Sequence, residues 1–229
     1  MSDDESVESL LAAAYTLDSP DANRSLYARW AETYESGFIA ASRYVYHDQV
    51  VAVFVGAGLE WLAPTDAVVD VGCGTGLAGE SLRRHTQVAI DGLDISPEML
   101  AHAAPKEHAG APVYRRLIQA DLTGPLEIET GTYRGAISAG TFTHGHVGPA
   151  ALSEIVRIVH PGGRAALGIN AAHFDAAGFG PALDGLAEDG RITDLELVDL
   201  PIYGGDDGDH GGADDADRTA RIAAFQVAG

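Results

Sequence analysis

A short apolar run that ends in glycines constrains this chain most. Ala67-Val68-Val69-Asp70-Val71 is followed at once by Gly72-Cys73-Gly74-Thr75-Gly76 and then by the helix-length segment Leu77 to His85. A buried strand, a turn that glycines make easily, and a helix with free N–H groups at its start build a ligand site at the end of the strand. The pattern downstream supplies a fold for such a unit. Val88 to Ile95, Val113 to Ala120, Arg134 to Ala139 and Arg164 to Ile169 read as strands, and Pro97 to Ala104 and Pro149 to Val159 as helices between them. Pro161-Gly162-Gly163 reads as a turn before the strand that starts at Arg164. Repeated alternation of this kind implies an α/β fold with a mostly parallel sheet, helices on both faces, and ligands at the carboxyl ends of the strands.

The two ends of the chain depart from that rhythm. Ser6 to Leu17 reads as a short helix stopped by Ser19-Pro20-Asp21, and Asp21 or Asn23 can cap another through Tyr34. Asp48 to Leu62 carries a broad apolar stripe suited to a helix packed on a sheet, which Pro64 ends. Asp175 to Ala187 reads as a helix, followed by two strands in succession, Asp194 to Tyr203 and Arg218 to Val227, which suggests an antiparallel pair. Their connector, Gly204 to Asp217, is nearly all Gly, Asp and Ala and reads as a mobile surface loop. With 229 residues, 46% of them hydrophobic, the chain is expected to form one domain over 1–229. Residues 1–62 would supply an N-terminal helical lid and the first sheet-packing helix, and 63–229 the core.

Charge and cysteine content exclude several classes. Fourteen basic against 34 acidic residues leave a net charge of −20, a field that repels phosphate backbones and anionic membrane surfaces, so nucleic acid and membrane are not expected partners. Cys73 is the single cysteine and closes no internal disulfide. No basic-then-apolar leader and no apolar run of about 20 residues is present, so a cytoplasmic protein is expected, a monomer or a homodimer.

The glycine turn fits two cofactors by spacing alone. Gly74, Gly76 and Gly79 satisfy the dinucleotide pattern GxGxxG, and Asp94 lies where a ribose-binding acid should. Asp70, two places before the first glycine, separates them: a carboxylate beside a pyrophosphate costs affinity, whereas an ammonium is attracted to it. The string Asp70-Val71-Gly72-Cys73-Gly74-Thr75-Gly76 resembles motif I of the class I S-adenosylmethionine-dependent methyltransferases, in which the acid faces the methionine ammonium. Gly92-Leu93-Asp94-Ile95-Ser96-Pro97-Glu98-Met99 resembles the second-strand motif of that family, and Gln119-Ala120-Asp121-Leu122 the third. Ser138-Ala139-Gly140-Thr141-Phe142 stands at the fourth strand end.

The resemblance implies a Rossmann-like seven-stranded sheet of order 3-2-1-4-5-7-6 with strand 7 antiparallel. It implies S-adenosylmethionine as cofactor and S-adenosylhomocysteine as product. Asp94 would take the ribose hydroxyls, Ile95 and Met99 would flank the adenine, Asp121 would accept from the adenine amino group, and the Leu122 N–H would read a ring nitrogen. Gly72, Cys73, Gly74, Gly76 and Ala139 would complete the cofactor contacts. Tyr27-Ala28-Arg29-Trp30-Ala31-Glu32-Thr33-Tyr34 resembles the lid of small-molecule methyltransferases related to the Williams-Beuren region protein, with Ala28 and Glu35 where that pattern often has aspartates. Tyr27, Trp30 and Tyr34 would then cover the methionine end, where aromatic faces suit a sulfonium.

Other residues read more plainly. Cys73 has no adjoining base and reads as a small buried residue at a turn. His144 and His146 follow the fourth strand and are candidates to face or deprotonate an acceptor, with Thr141, Phe142, Asn170 and Phe174 as further walls and Tyr44, Tyr46 and His47 as weaker ones. No metal is expected: the His pair lacks a local carboxylate or cysteine, and the acidic cluster within 206–217 lacks the order of a calcium loop. The expected function is methyl transfer to a small molecule by in-line displacement. A nicotinamide-dependent oxidoreductase and a non-catalytic cofactor-binding module are the alternatives.

Overall fold

The computed structural model describes residues 43–56, 58–143, 147–204 and 218–229. The two helices expected before Tyr34, the lid aromatics Tyr27, Trp30 and Tyr34, the pair His144 and His146, and the Gly-Asp connector from residue 205 lie outside the described residues.

Strand β1 (Ala67–Val71) is buried along its whole length, as a central parallel strand covered on both faces must be. It runs into helix α2 (Leu77–Arg83) through the glycine turn, and then the chain alternates β2 (Ala89–Asp94), α3 (Pro97–Ala103) and β5 (Arg116–Gln119). Ser96 starts α3 by accepting from the Met99 N–H at 3.2 Å, with Pro97 at the first helical position, where a missing N–H costs nothing. Between α3 and β5 a two-residue hairpin, β3 (Glu107–His108) and β4 (Ala111–Pro112), stands apart from the main sheet. Then follow β6 (Tyr133–Phe142), α4 (Ala151–Ile158), β7 (Val159–Asn170), α5 (Ala171–Ala177), α6 (Phe179–Glu188), β8 (Ile192–Pro201) and β9 (Thr219–Val227). Helix α1 (Tyr46–Gly56) precedes them all.

The sheet has seven strands in the order β5-β2-β1-β6-β7-β9-β8. Counting only its members, that is 3-2-1-4-5-7-6, and β9 lies antiparallel to both β7 and β8. This is the expected Rossmann-like topology. Alternation along the strands divides the core in two. Val68, Ile90, Ile137, Ala166 and Ile222 face α1, α2 and α3, where they meet Val50, Val51, Phe54, Leu82 and Leu100. Val69, Val71, Leu93, Ala165, Leu167 and Phe225 face the other way, toward Leu152 and Ile155 of α4 and Phe179 and Leu183 of α6.

Several expected boundaries shift for local reasons. The helix expected to reach Leu62 stops at Gly56, and Gly58 follows with φ +76°, a conformation that does not continue a helix. The helix expected over Asp175 to Ala187 is two, divided at Gly178 with φ +79°, and the first starts earlier, capped by Asn170. The Pro161-Gly162-Gly163 turn is an excursion within β7: Val159 pairs with Tyr133 but Arg164 with Gly135, so the extra residues bulge out. The third sheet strand begins at Arg116 instead of Val113.

A buried carboxylate anchors that edge strand. Asp91 on β2 has no exposure and accepts from Arg115 Nε (2.9 Å) and Nη2 (2.7 Å), from Arg116 Nε (3.0 Å) and Nη2 (2.6 Å), and from the Tyr133 hydroxyl (3.0 Å). Burial pushes its pKa up, but the bonds from Arg115, Arg116 and Tyr133 outweigh burial and hold it below the usual aspartate value. Asp91→Ala is expected to cost about 2 kcal/mol, below the full cost of an orphaned buried charge because both arginines reach water. In denaturant titrations the deficit appears above about pH 4, where an unfolded aspartate is ionised, and shrinks as the pH falls through the lower folded value.

Candidate active site

The carboxyl ends of β1, β2, β5 and β6 open onto one pocket. Of the residues expected to hold a cofactor, Asp70, Gly72, Cys73, Gly74, Asp94, Ile95, Met99, Asp121, Leu122 and Ala139 line it. Thr75, Ala78, Gly140 and Val147 join them, as do Thr141, Tyr44 from the segment entering α1 and His47 from its first turn.

The turn is held together by acceptors within it. Asp94 accepts the Gly74 N–H on Oδ2 and the Ser96 N–H on Oδ1, each at 2.8 Å, and so ties the first glycine loop to the start of α3. Burial raises its pKa against these stabilising N–H groups. A carboxylate has about four lone-pair positions, so two remain for a ligand. Gly72 has φ +66°, and a Cβ there would lie 1.8 Å from Thr141 Oγ1, which donates to the Val71 carbonyl at 3.0 Å. Gly74 also has positive φ (+54°), but a Cβ there would meet nothing within 4 Å, because this glycine borders the open pocket.

Asp70 is the unusual group. It is fully buried; its Oδ2 accepts from the Tyr114 hydroxyl at 2.7 Å, and its Oδ1 is buried with no hydrogen-bond partner. Burial pushes its pKa up to about 7, with the Tyr114 hydroxyl and the Gly79 N–H opposing the rise and the Asp94 charge adding to it. Thr75 Oγ1 is likewise buried and unpartnered. A buried acid with an oxygen unsatisfied and a half-buried acid at the same pocket form a place for a positive ligand group and a poor place for a pyrophosphate.

The other expected residues are placed as follows. Asp121 is exposed, and its Oδ1 accepts from the Thr123 N–H (2.8 Å) and hydroxyl (2.7 Å). Cys73 is 6% exposed, and burial followed by the Asp70 and Asp94 charges drives its pKa well above that of a free thiol, so it is no nucleophile. His47 stacks on Tyr44 with ring centroids 5.7 Å apart; burial lowers its pKa and its Nδ1 is unpartnered. Tyr46 is in the core, its hydroxyl over Gly168.

Four expectations need correction. Gly76 does not line the pocket; it caps α2 and leaves room for the Tyr114 ring. Phe142 follows Thr141 on the same strand and therefore points to the opposite face, where it packs edge-on against Phe179. Asn170 accepts the His173 N–H as the cap of α5. Phe174 stacks on Phe179, with the Arg221 guanidinium 4.9 Å from its ring centre. These three are supports, not acceptor walls.

The family profile of the methyltransferase domain matches residues 68–163, a span that contains all but the first residue of β1, the glycine turn, Asp94, Asp121 and the fourth sheet strand. Residues 68–163 are thus similar to a methyltransferase domain. It is 32% identical to human methyltransferase-like protein 27 over 149 residues, which cover 63% of this chain and 57% of that protein. It is 36% identical to the 18S rRNA (guanine(1575)-N(7))-methyltransferase of Saccharomyces cerevisiae over 77 residues, 34% of this chain and 26% of that protein. The chain thus spans from about a quarter to somewhat over half the length of these relatives. Its fold is similar to the methyltransferase solved in complex with the Trm112 methyltransferase activator of Haloferax volcanii, with a TM-score of 0.59, 18% identity, and coverage of 89% of this chain and 98% of that one.

Within the matched span, Tyr114 is a site residue missed by motif reading, since it sits in no motif. Its signal was indirect: Gly76, Gly79 and Gly92 all leave space for its ring.

The two turn glycines are expected to separate folding from binding. Gly72→Ala combines left-handed strain with a clash and should cost about 3 kcal/mol. Gly74→Ala carries only the strain, about 1 kcal/mol, yet fills ligand space. Thermal unfolding and ligand titration of both variants check this: the first loses mainly stability, the second mainly affinity.

Proposed function

We propose that this chain is an S-adenosylmethionine-dependent methyltransferase acting on a small molecule, of the group to which the Tyr27–Tyr34 segment is similar. The observation that carries the proposal is the unsatisfied Oδ1 of Asp70, a buried acceptor at the pocket for which an ammonium is the fitting partner. The cofactor, when bound, supplies a methyl group on a sulfonium, which an acceptor nucleophile displaces in line as the carbon–sulfur bond breaks and S-adenosylhomocysteine leaves.

The chain's own residues bind and orient. Asp70 takes the ammonium, the remaining lone pairs of Asp94 take the ribose hydroxyls, and Ile95, Met99 and Leu122 bracket the adenine. Asp121 accepts from its amino group through the oxygen not engaged by Thr123. Holding donor and acceptor at near-attack geometry, with water kept out, accounts for much of the rate gain because the methyl is already activated. Tyr44, Thr141 and Val147 border the acceptor side, and the unprotonated imidazole of His47 is a base there, alongside His144 and His146 from the sequence.

A small acceptor is favoured by charge. The yeast relative is named for 18S rRNA, but a chain of net charge −20 lacks the electrostatic attraction that a polyanion requires.

Calorimetry with S-adenosylmethionine, S-adenosylhomocysteine and NAD tests the cofactor. Both adenosyl ligands are expected to bind, and tight NAD binding without them overturns the proposal. Asp70→Asn should weaken S-adenosylhomocysteine by at least about tenfold at neutral pH. Wild-type affinity should fall as the pH is lowered from 8 toward 6, because Asp70 takes up a proton near pH 7 and loses its charge; the Asn variant should lose this limb. Assays of S-adenosylhomocysteine release with small acceptors and with RNA then decide the acceptor class.

A further inference from the structure

Tyr114 is held as if its position mattered more than its packing. A Cβ at Gly79 would lie 2.3 Å from its hydroxyl oxygen, one at Gly76 2.8 Å from its ring edge, and one at Gly92 3.1 Å from the other edge. The backbone is pinned on both sides: the Val113 carbonyl accepts from Arg83 Nη2 at 2.7 Å, and the Arg115 N–H donates to the Ile90 carbonyl at 2.7 Å. The phenol can therefore neither move along its slot nor swing out. Its hydroxyl donates to Oδ2 of Asp70.

We infer that Tyr114 is a positioning residue for cofactor capture, which keeps Asp70 ionised and turns its free Oδ1 toward the cationic end of the ligand. This rests on the reading of the pocket as an S-adenosylmethionine site. A hydroxyl donating to a carboxylate stabilises the charged form and does nothing for an acid that has taken up a proton on that oxygen. Burial also raises the phenol's own pKa, so Tyr114 remains a donor throughout the useful pH range. The backbone N–H of Gly79 also favours the charge, but the other side chains facing Asp70 oppose or ignore it: Asp94 from β2 repels it, Cys73 in the turn is an un-ionised thiol, and His47 of α1 is a base of lowered pKa. Glu80 on α2 is already paired with Lys106 at 2.9 Å. Tyr114 is thus the side chain that holds Asp70 ready to receive a cation.

A consequence follows that simple packing does not share. Without the hydroxyl, Asp70 ionises about one pH unit higher, so the free protein must give up a proton to bind at a pH where the wild type has already done so. Well above both values the carboxylate is charged in either protein, and the affinities converge.

The test is Tyr114→Phe, which keeps the ring in its slot. S-adenosylhomocysteine binding is measured by calorimetry from about pH 6 to about pH 9, in parallel with 5′-methylthioadenosine, which lacks the amino-acid end. The variant is expected to bind S-adenosylhomocysteine about tenfold more weakly near pH 6 and almost equally near pH 9. Its affinity for methylthioadenosine should match the wild type throughout. Adding Tyr114→Phe to Asp70→Asn should weaken binding no further, which provides a second comparison independent of the first variant's folding. An equal deficit at every pH, an equal loss for methylthioadenosine, or no deficit at all overturns the inference while leaving the cofactor assignment standing. Failure of the wild type itself to bind S-adenosylhomocysteine overturns both.

Discussion

The arrangement of this pocket depends on one carboxylate placed where water does not reach it. Asp70 is the next-to-last residue of a strand that is otherwise Ala and Val, on the face where Val68 packs under α1 and α2, and it carries one hydrogen bond from Tyr114 and an empty oxygen. A buried acid with half its acceptors unused is a cost in the free protein: with a folded pKa near 7, its ionisation works against the fold as the pH rises from the unfolded aspartate value toward 7. Proteins keep such costs where a ligand relieves them. Asp94, by contrast, uses its two oxygens to hold the Gly74 and Ser96 N–H groups, so one acid is committed mainly to shaping the loop and the other to waiting for a partner.

The rest of the fold serves to hold that acid in place. The parallel strands β5, β2, β1, β6 and β7 bring their carboxyl ends to one edge, and Asp91 clamps β5 onto β2 from beneath through Arg115 and Arg116. That clamp immediately follows Tyr114, so the same short segment that fixes the edge strand also delivers the phenol to Asp70. Thr141 and Ser138 on β6 donate to the Val71 carbonyl and stitch the fourth strand to the glycine turn. The left-handed turn at Gly72 and Gly74 is thereby held from β1, β2 and β6 at once.

Much of the fold was legible because it is written in periodicity and glycine. The limits of β1 were readable to the residue, and the antiparallel final pair followed from two apolar runs with no helix between them. Asp70, Asp94 and the residues around them were legible as a site because charge next to a glycine turn has few structural uses. Phe142, Asn170 and Phe174 were misread for one reason: position near a strand end says that a residue is close to the site, but not which way it points. Thr141 and Phe142 are neighbours on a strand and must part to opposite faces; Asn170 is the polar residue a new helix needs as a cap. Tyr114 was hidden because its partners, Gly76, Gly79 and Gly92, are scattered in the sequence and gather only when β2, α2 and the segment before β5 pack. The same geometry explains why the GxGxxG spacing misleads: Gly79 is small for the sake of a tyrosine, not of a pyrophosphate.

In the proposed function, the empty oxygen of Asp70 receives a cation. A crystal structure of the full chain with S-adenosylhomocysteine tests it most directly. The ligand's ammonium nitrogen is expected about 2.7–2.9 Å from Asp70 Oδ1, with Tyr114 still donating to Oδ2 and the adenine beside Ile95 and Leu122. An amino-acid end turned away from Asp70, with Oδ1 left bare or protonated in the complex, would contradict it.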